Sequence, residues 1–173
     1  SRIAQPFTDA LSLYAIGLIA GNLVNVYSDN AGKDGWEKIT LASTIGGMVI
    51  NTAGVTLAHG MEHPASGLRD IVHGKGLAAL TPAIIEASYT GNESKFADIA
   101  KLFGGKEAKD LALKIRELLK SINLNCTLSD LGIEEKDVPW MAENCMKVSA
   151  ASVANNPVVF TQEQIADIYK KAL

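Results

Sequence analysis

Apolar residues recur at helical spacing along most of the chain, whereas the alternation typical of β-strands is scarce. The first segment ends at the turn over residues 29–32, and its apolar stripe consists of Leu11, Ala15, Leu18, Ile19 and Val26. The pattern predicts further helices from about Trp36 to His63, from Leu77 to about Tyr89, after Asn92 or Ser94, from Lys106 to Ile122, after Asp137 and after Thr161. About seven or more helices with short connections predict an all-α fold, a helical bundle.

Local signals refine the ends and faces of these helices. Thr8 is the expected N-cap of the first helix, and Thr161 begins a capping box before the last. The helix after Asp137 is predicted to turn four apolar residues inward, namely Trp140, Met141, Cys145 and Val148. A helical glycine costs about 1 kcal/mol against alanine and so indicates a close neighbour. We assign Gly46 and Gly47 to helix packing and Gly60 to ligand access.

Composition and charge narrow the class of protein. The chain has 173 residues, is 47% hydrophobic and 20% charged, and carries a net charge of −3, with a sequence pI near 5.6. This predicts one globular domain over residues 1–173, with no nucleic-acid partner because a basic surface is lacking.

No window holds about 18 consecutive apolar residues, so the segment from Leu11 to Val26 is expected to be a buried helix and no membrane partner is expected. Cys126 and Cys145 are expected to be reduced thiols of a cytoplasmic protein.

All three histidines fall within one short segment, at positions 59, 63 and 73. His59 and His63 share a helical face and can face the same cavity. Pro64 is expected to end that helix, and a turn containing Gly67 could then bring His73 to this cavity. Imidazole is the commonest metal ligand and the usual proton carrier near neutral pH. The spacing therefore indicates a metal or proton-transfer site, although three histidines can also lie close together without a function. Glu62 is about 100° off the histidine face and is expected in solvent.

The histidine segment resembles the signature of iron-containing (group III) alcohol dehydrogenases. Residues 56–64 (Thr-Leu-Ala-His-Gly-Met-Glu-His-Pro) and 70–74 (Asp-Ile-Val-His-Gly) carry the resemblance. Residues 6–11, 42–43, 51–54, 156–157 and 161–165 also follow the order of the family, so the similarity covers essentially the whole chain. The resemblance implies the C-terminal helical metal-binding domain, of the dehydroquinate synthase-like kind. The family's N-terminal α/β nucleotide-binding domain is expected to be absent from this chain, which has no glycine-rich loop after a strand.

The resemblance also implies roles for individual residues. His59 and His73 match metal ligands, while the family's other two ligands, an Asp and a His, would lie before Ser1. His63 matches a histidine beside the nicotinamide and the substrate, where it is a candidate catalytic proton relay and cofactor contact. The implied cofactors are Fe(II), with Zn(II) as an alternative, and NAD or NADP. With half of the metal ligands missing, residues 1–173 alone are expected to hold iron poorly and to be inactive.

The function implied by the resemblance is the interconversion of a small alcohol and its aldehyde or ketone by hydride transfer. Ile50 and Ser152 are candidate lining residues of the substrate pocket, although apolar burial favours a plain core position for Ile50. The expected partners are the alcohol or aldehyde and the missing N-terminal domain, and the apolar composition is compatible with a homodimer. Two alternatives stay open: a glycerol dehydrogenase or dehydroquinate synthase-like zinc enzyme domain, and a non-catalytic helical module in which Cys126 or Cys145 completes a structural metal site.

Overall fold

The computed structural model describes all residues from Ser1 to Leu173, and nine α-helices with no strand make up its regular structure. The helices are α1 (Pro6–Tyr27), α2 (Gly32–Ala53), α3 (Leu57–Arg69), α4 (His73–Ser88), α5 (Glu93–Leu102), α6 (Leu111–Ser121), α7 (Val138–Val148), α8 (Ala150–Ala154) and α9 (Gln162–Ala172). Short 3-10 turns cover Tyr89–Gly91, Ala108–Asp110 and Glu135–Asp137. The predicted all-α fold is confirmed.

The helices form two compact units that interleave along the sequence. The histidine unit consists of Ser1–Arg2, Val55–Asn92 and Leu124–Leu173, and it contains α3, α4, α7, α8 and α9. The long-helix unit consists of Ile3–Gly54 and Glu93–Asn123, and it contains α1, α2, α5 and α6. This division into compact units does not test the expectation of one domain over residues 1–173, which stays a prediction.

One buried apolar cluster organises the histidine unit. α3 packs against α4, α7 and α8, while α9 packs against α4 and α7. Fully buried members of the cluster include Leu57, Met61, Leu80, Leu128, Ile133, Met141, Ile165 and Tyr169. The Tyr169 hydroxyl donates to the backbone oxygen of Met61 at 2.5 Å, so the polar tip of this buried ring is satisfied. This packing holds α3, the helix that carries two of the three histidines.

In the histidine unit the capping signal of α9 is confirmed, whereas the predicted inward face of α7 is only half correct. The Gln164 N–H donates to the Thr161 hydroxyl and the Thr161 N–H donates to the Gln164 side chain, which confirms the capping box of α9. In α7, Met141 and Cys145 are buried as predicted, whereas Trp140 is 47% and Val148 70% exposed. A helix buries one stripe along its length, and these two residues lie outside the stripe of α7.

The long-helix unit is built on the pairing of α1 with α2. Ala15 of α1 and Ala42 and Ile45 of α2 form its buried cluster, and α5 packs against both α1 and α6. α1 begins at Pro6 with Gln5 as the N-cap, so the expectation that Thr8 caps this helix was wrong. The Thr8 hydroxyl instead accepts the Gln5 N–H at 2.8 Å from the third position of the helix.

α1 is less buried than its sequence predicted. Its most apolar stretch of 18 residues has a mean hydropathy of 1.5, and 11% of that stretch is buried. By length and composition alone this helix could cross a membrane, a property that core helices and signal sequences share. Phe7 is 69% and Tyr14 55% exposed, so α1 is not the buried helix that was expected. Its packing against α2 and α5 covers only part of its circumference.

Two of the predicted helices are shorter or divided. The helix expected from about Trp36 to His63 is split, because Gly54 adopts a φ of 63° and ends α2 before α3 begins at Leu57. The helix expected from Lys106 begins at Leu111. The Asp110 carboxylate accepts the N–H groups of Lys106 and Glu107 at 2.8 and 3.1 Å, which replaces a first helical turn and lowers the pKa of Asp110.

Candidate metal centre

The three histidines meet where α3 is followed by α4. His59 and His63 lie one turn apart on α3, and His73 is the first residue of α4. The ring centroids of His59 and His73 are 5.2 Å apart, those of His63 and His73 5.9 Å, and those of His59 and His63 6.1 Å. The structure therefore brings together the three side chains that the sequence grouped, while their individual roles stay predictions.

The chain reaches His73 by a different path from the predicted one. Pro64 lies inside α3, which continues to Arg69, so the expectation that Pro64 ends the helix was wrong. Proline removes one helical hydrogen bond, but Pro64 and Ala65 are buried, and the packing of α3 retains the helix across this gap. Asp70 is the C-cap that follows the last helical residue, Arg69. It has a φ of 50°, and its N–H donates to the Ser66 oxygen at 2.8 Å.

Side-chain hydrogen bonds hold the turn between α3 and α4. The Ser66 hydroxyl donates to the backbone oxygen of Ile71 at 3.0 Å. The Arg69 guanidinium donates to the Gly132 oxygen at 2.9 Å and to the Asp137 carboxylate at 2.6 Å. The Arg69 bonds thus tie the end of α3 to the segment that begins α7, and the Ser66 bond spans the turn towards His73.

The burial of Glu62 is the largest difference between the expected and the observed site. The sequence placed it in solvent, but its side chain is fully buried at 0% exposure. Its Oε2 lies 2.5 Å from Nδ1 of His73, and its Oε1 accepts a hydrogen bond from the Ser66 hydroxyl. A helical wheel gives only the angle between Glu62 and the histidine face. The start of α4, which covers Glu62, is a tertiary neighbour that the wheel does not contain.

The surroundings of His59 favour its neutral form. Burial lowers the pKa of His59 below its ordinary value of 6.5, and the neighbouring His73 and His63 lower it further, while Glu62 acts in the opposite direction. A neutral imidazole keeps a free lone pair on one ring nitrogen, and metal binding requires that lone pair. The fold therefore favours the protonation state of His59 that metal binding would require.

The donor atoms fit a divalent transition metal. Ligand atoms of Glu62, His63 and His73 lie within 4.8 Å of one another, and the His59 ring adjoins that of His73. Imidazole nitrogens suit both Fe(II) and Zn(II), and the three histidines supply them. Cys126 and Cys145 are free thiols and do not belong to this group, which argues against a structural site completed by sulfur.

Gly60 serves helix packing, so its assignment to ligand access was wrong. It is buried, and a Cβ added there would lie 3.3 Å from the Cβ atoms of Ser149 and Ser152 and 3.6 Å from the Cys145 sulfur. Ser152 thus lies beside α3 within the histidine unit. Ile50 lies on α2 in the long-helix unit and is 47% exposed. Both stay candidate pocket residues.

Comparison with known proteins adds an independent observation to this geometry. The sequence profile described as "Fe-containing alcohol dehydrogenase family, C-terminal" matches residues 1–173. The chain belongs to the iron-containing alcohol dehydrogenase family. The resemblance seen in the histidine segment is thereby confirmed.

Individual relatives agree with this membership. The chain is 36% identical over 180 residues to 1,3-propanediol dehydrogenase of Klebsiella pneumoniae, covering 99% of this chain and 46% of that protein. It is 31% identical over 182 residues to lactaldehyde reductase of Escherichia coli strain K12, with coverage of 99% and 46%. The crystal structure of 1,3-propanediol oxidoreductase matches with a TM-score of 0.92 at 35% identity, over 100% of this chain and 47% of that one. The chain therefore spans about half the length of its relatives.

Sequence reasoning missed Glu62, Ser66 and Gly76 as parts of one arrangement. Ser66 stands one helical turn after Glu62, and Gly76 stands in the first turn of α4. A Cβ at Gly76 would lie 2.8 Å from both Cγ and Oε1 of Glu62. The available signal was an acidic residue between two histidines, followed by a glycine soon after the third. Only the position of α4 shows that these residues meet.

Proposed function

We propose that this chain is the metal-binding, catalytic half of an iron-dependent, NAD(P)-linked alcohol dehydrogenase that interconverts a small alcohol and its aldehyde or ketone by hydride transfer. The observation that carries the proposal is the convergence of His59, His63 and His73, with His73 held by a buried carboxylate. Family membership supports the reaction class. Two relatives are named for propanediol and for lactaldehyde, which supports a small polar alcohol as substrate.

His59 and His73 are the proposed metal ligands of this chain. The position of Glu62 leaves Nε2 of His73 for the metal, because Nδ1 faces the carboxylate. When bound, a divalent ion supplies a Lewis acid that stabilises negative charge on the alcohol oxygen and so favours loss of the hydride to the nicotinamide. The family name and the imidazole-rich donor set support Fe(II), with Zn(II) as the alternative.

His63 is the proposed proton relay. It lies on the same helix as His59, its side chain is exposed, and its ring centroid is 5.9 Å from that of His73. An imidazole in this position can take the hydroxyl proton of the alcohol and pass it to solvent, a contribution typically of about 10²–10⁴ in rate. We also assign to His63 the contact with the nicotinamide. Either NAD or NADP is compatible with this role.

The test is NAD(P)H formation by the full-length protein that contains this chain, with a panel of small alcohols and diols. Activity is measured with Fe(II), with Zn(II) and after chelation, for the natural sequence and for His59→Ala. Glu143→Gln is the matched control, since Glu143 is an exposed residue of α7 outside the histidine cluster. We expect metal-dependent turnover that His59→Ala abolishes and Glu143→Gln retains. Turnover that survives both chelation and His59→Ala would contradict the proposal.

A further inference from the structure

We propose that Glu62 is a positioning residue of the metal centre, which fixes the His73 ring in one orientation and one tautomer, with the hydrogen on Nδ1 and the lone pair on Nε2. The role in metal binding rests on the proposed function. The hydrogen bond between Glu62 and His73 involves only residues of this chain, so it is testable without a metal. Glu62 acts through His73 and needs no contact with the metal or the substrate.

Both carboxylate oxygens of Glu62 are engaged. Oε2 lies 2.5 Å from Nδ1 of His73, and Oε1 accepts from the Ser66 hydroxyl, whose single hydrogen is shared with the backbone oxygen of Ile71. The side chain is fully buried. A buried carboxylate is costly unless hydrogen bonds or charges compensate for the lost water. The arrangement therefore holds the Glu62 side chain in place, and the held carboxylate in turn orients His73.

The contact determines the tautomer of His73. A neutral imidazole carries one N–H, and the nitrogen that faces a carboxylate acceptor is the one that keeps the hydrogen. With the hydrogen on Nδ1, Nε2 retains the lone pair that a metal needs. Histidine ligands commonly donate their second ring N–H to a carboxylate in this manner, which fixes the ring and strengthens the ligand. The rings of all three histidines contact one another, and the carboxylate contact on Nδ1 is the feature that distinguishes His73.

The first turn of α4 is shaped to receive the Glu62 carboxylate. A Cβ at Gly76 would come within 2.8 Å of Cγ and Oε1 of Glu62, so only glycine leaves this space open. The N-terminal end of a helix carries partial positive charge and stabilises a nearby anion. His73 and Gly76 belong to this same turn. One short segment thus supplies both the oriented imidazole and the space for the residue that orients it.

The alternative is that Glu62 itself ligates the metal, since its oxygen lies within 4.8 Å of ligand atoms of His63 and His73. Ligation would take an oxygen that already accepts a hydrogen bond from either His73 or Ser66. The two arrangements differ in one property of the metal-free protein. A positioning carboxylate sets the tautomer of His73 before any metal is present, whereas a ligand need not.

The first experiment measures the histidine tautomers of the metal-free 173-residue chain by long-range 1H–15N NMR, at a pH where the imidazoles are neutral. The chain has three histidines, and His73→Ala identifies the signals of His73. Glu62→Met removes the acceptor at similar volume, whereas Glu62→Gln keeps a carbonyl oxygen that can accept from Nδ1. We expect His73 to be the Nδ1–H tautomer in the natural sequence and in Glu62→Gln, and to shift towards Nε2–H in Glu62→Met. An unchanged tautomer in Glu62→Met would overturn the proposal.

The second experiment measures metal affinity of the full-length protein by competition with a chromophoric chelator. We expect Glu62→Met to weaken Fe(II) or Zn(II) binding by about 10–100-fold, Glu62→Gln to weaken it less, and Glu143→Gln to leave it unchanged. Gly76→Ala should also weaken binding in the natural background, but much less in Glu62→Ala, where the smaller side chain makes room for the methyl group. A Glu62→Met variant with altered tautomer and natural metal affinity would overturn the positioning role.

These outcomes are separable from failure of the proposed function. A protein that shows the expected tautomers and metal affinities, but forms no NAD(P)H with any alcohol, would contradict the dehydrogenase and support the role of Glu62. A protein that loses metal binding in both Glu62 variants, with an unchanged His73 tautomer in Glu62→Met, would make Glu62 a ligand and overturn the positioning role.

Discussion

The histidine unit and the long-helix unit bury their side chains to very different degrees. The histidine unit has a broad apolar cluster with many fully buried side chains, and it also encloses the carboxylate of Glu62. In the long-helix unit the buried cluster is limited to Ala15, Ala42 and Ile45, and large side chains such as Trp36, at 55% exposure, face outward. The unit that carries the candidate chemistry is the one with the more extensive core.

This difference shows where precision is needed in this chain. A metal site must hold its ligands within a fraction of an ångström, and well-packed neighbours provide that constraint. The histidine unit has such neighbours around α3 and α4, since α3 packs against α4, α7 and α8. The same substitution should therefore have a large effect in the histidine unit and a small one at an exposed position of the long-helix unit.

The largest contrast is expected between two methionines. Met61 is fully buried in the histidine unit, whereas Met48 is 58% exposed on α2. We expect Met61→Ala to lower the free energy of unfolding by about 2–5 kcal/mol, because it leaves a cavity in a packed core. Met48→Ala should change it by less than about 0.5 kcal/mol. Urea unfolding followed by circular dichroism measures both, and equal losses would remove the proposed contrast between the units.

A smaller contrast is expected between two tyrosines. The Tyr169 hydroxyl donates to the Met61 oxygen inside the core, whereas Tyr14 is 55% exposed on α1. Tyr169→Phe removes a hydrogen bond from the core, although the Met61 oxygen keeps its place in the helical ladder of α3, so we expect a loss of about 0.5–1.5 kcal/mol in the free energy of unfolding. Tyr14→Phe is the control and should be neutral. A neutral Tyr169→Phe would show that water or another donor replaces the hydroxyl.

The same tyrosine should make the protein sensitive to alkali. Burial, with the charges of Cys145 and Glu62, raises the pKa of Tyr169 above its ordinary value of 10.0. The unfolded chain then ionises first, so this contribution to stability is complete below pH 10 and is lost as the pH rises above that value. Burial also raises the pKa of Cys145 from 9.0 to about 12, which adds a loss that begins near pH 9. Tyr169→Phe should reduce, and not abolish, the decline of stability measured between neutral and alkaline pH.

The last contrast concerns two helical glycines, at which we expect small effects of opposite sign. Nothing lies within 4 Å of a Cβ added at Gly46 or Gly47 in α2, so the assignment of these two glycines to helix packing was wrong. A Cβ added at Gly60 in α3 instead meets Ser149 and Ser152 at 3.3 Å. We expect Gly46→Ala to stabilise the protein by about 1 kcal/mol through helix propensity. At Gly60 the crowding should exceed that gain and give a net loss of about 1 kcal/mol. Thermal unfolding of the two variants compares them directly, and a stabilising Gly60→Ala would show that α8 yields to the added methyl group.

Features that depend on nearby residues were predictable from the sequence. The helical periods, the capping box at Thr161 and the shared face of His59 and His63 arise from geometry within a few residues. The family resemblance was readable for the same reason, since its motifs are short and lie in order along the chain. These local features were enough to predict an all-α fold and to group the three histidines.

Features that depend on which elements meet in space were decided by the tertiary structure. Pro64 remains helical because the packing of α3 compensates for a lost hydrogen bond. Gly54 divides the predicted helix, although glycine disfavours a helix less than proline does. Glu62 is buried because the start of α4 lies over it, with Gly76 leaving the space that its carboxylate occupies. The sequence alone determined which residues share a helical face. The tertiary structure decided which faces are covered, because burial is a property of the neighbour and not of the residue itself.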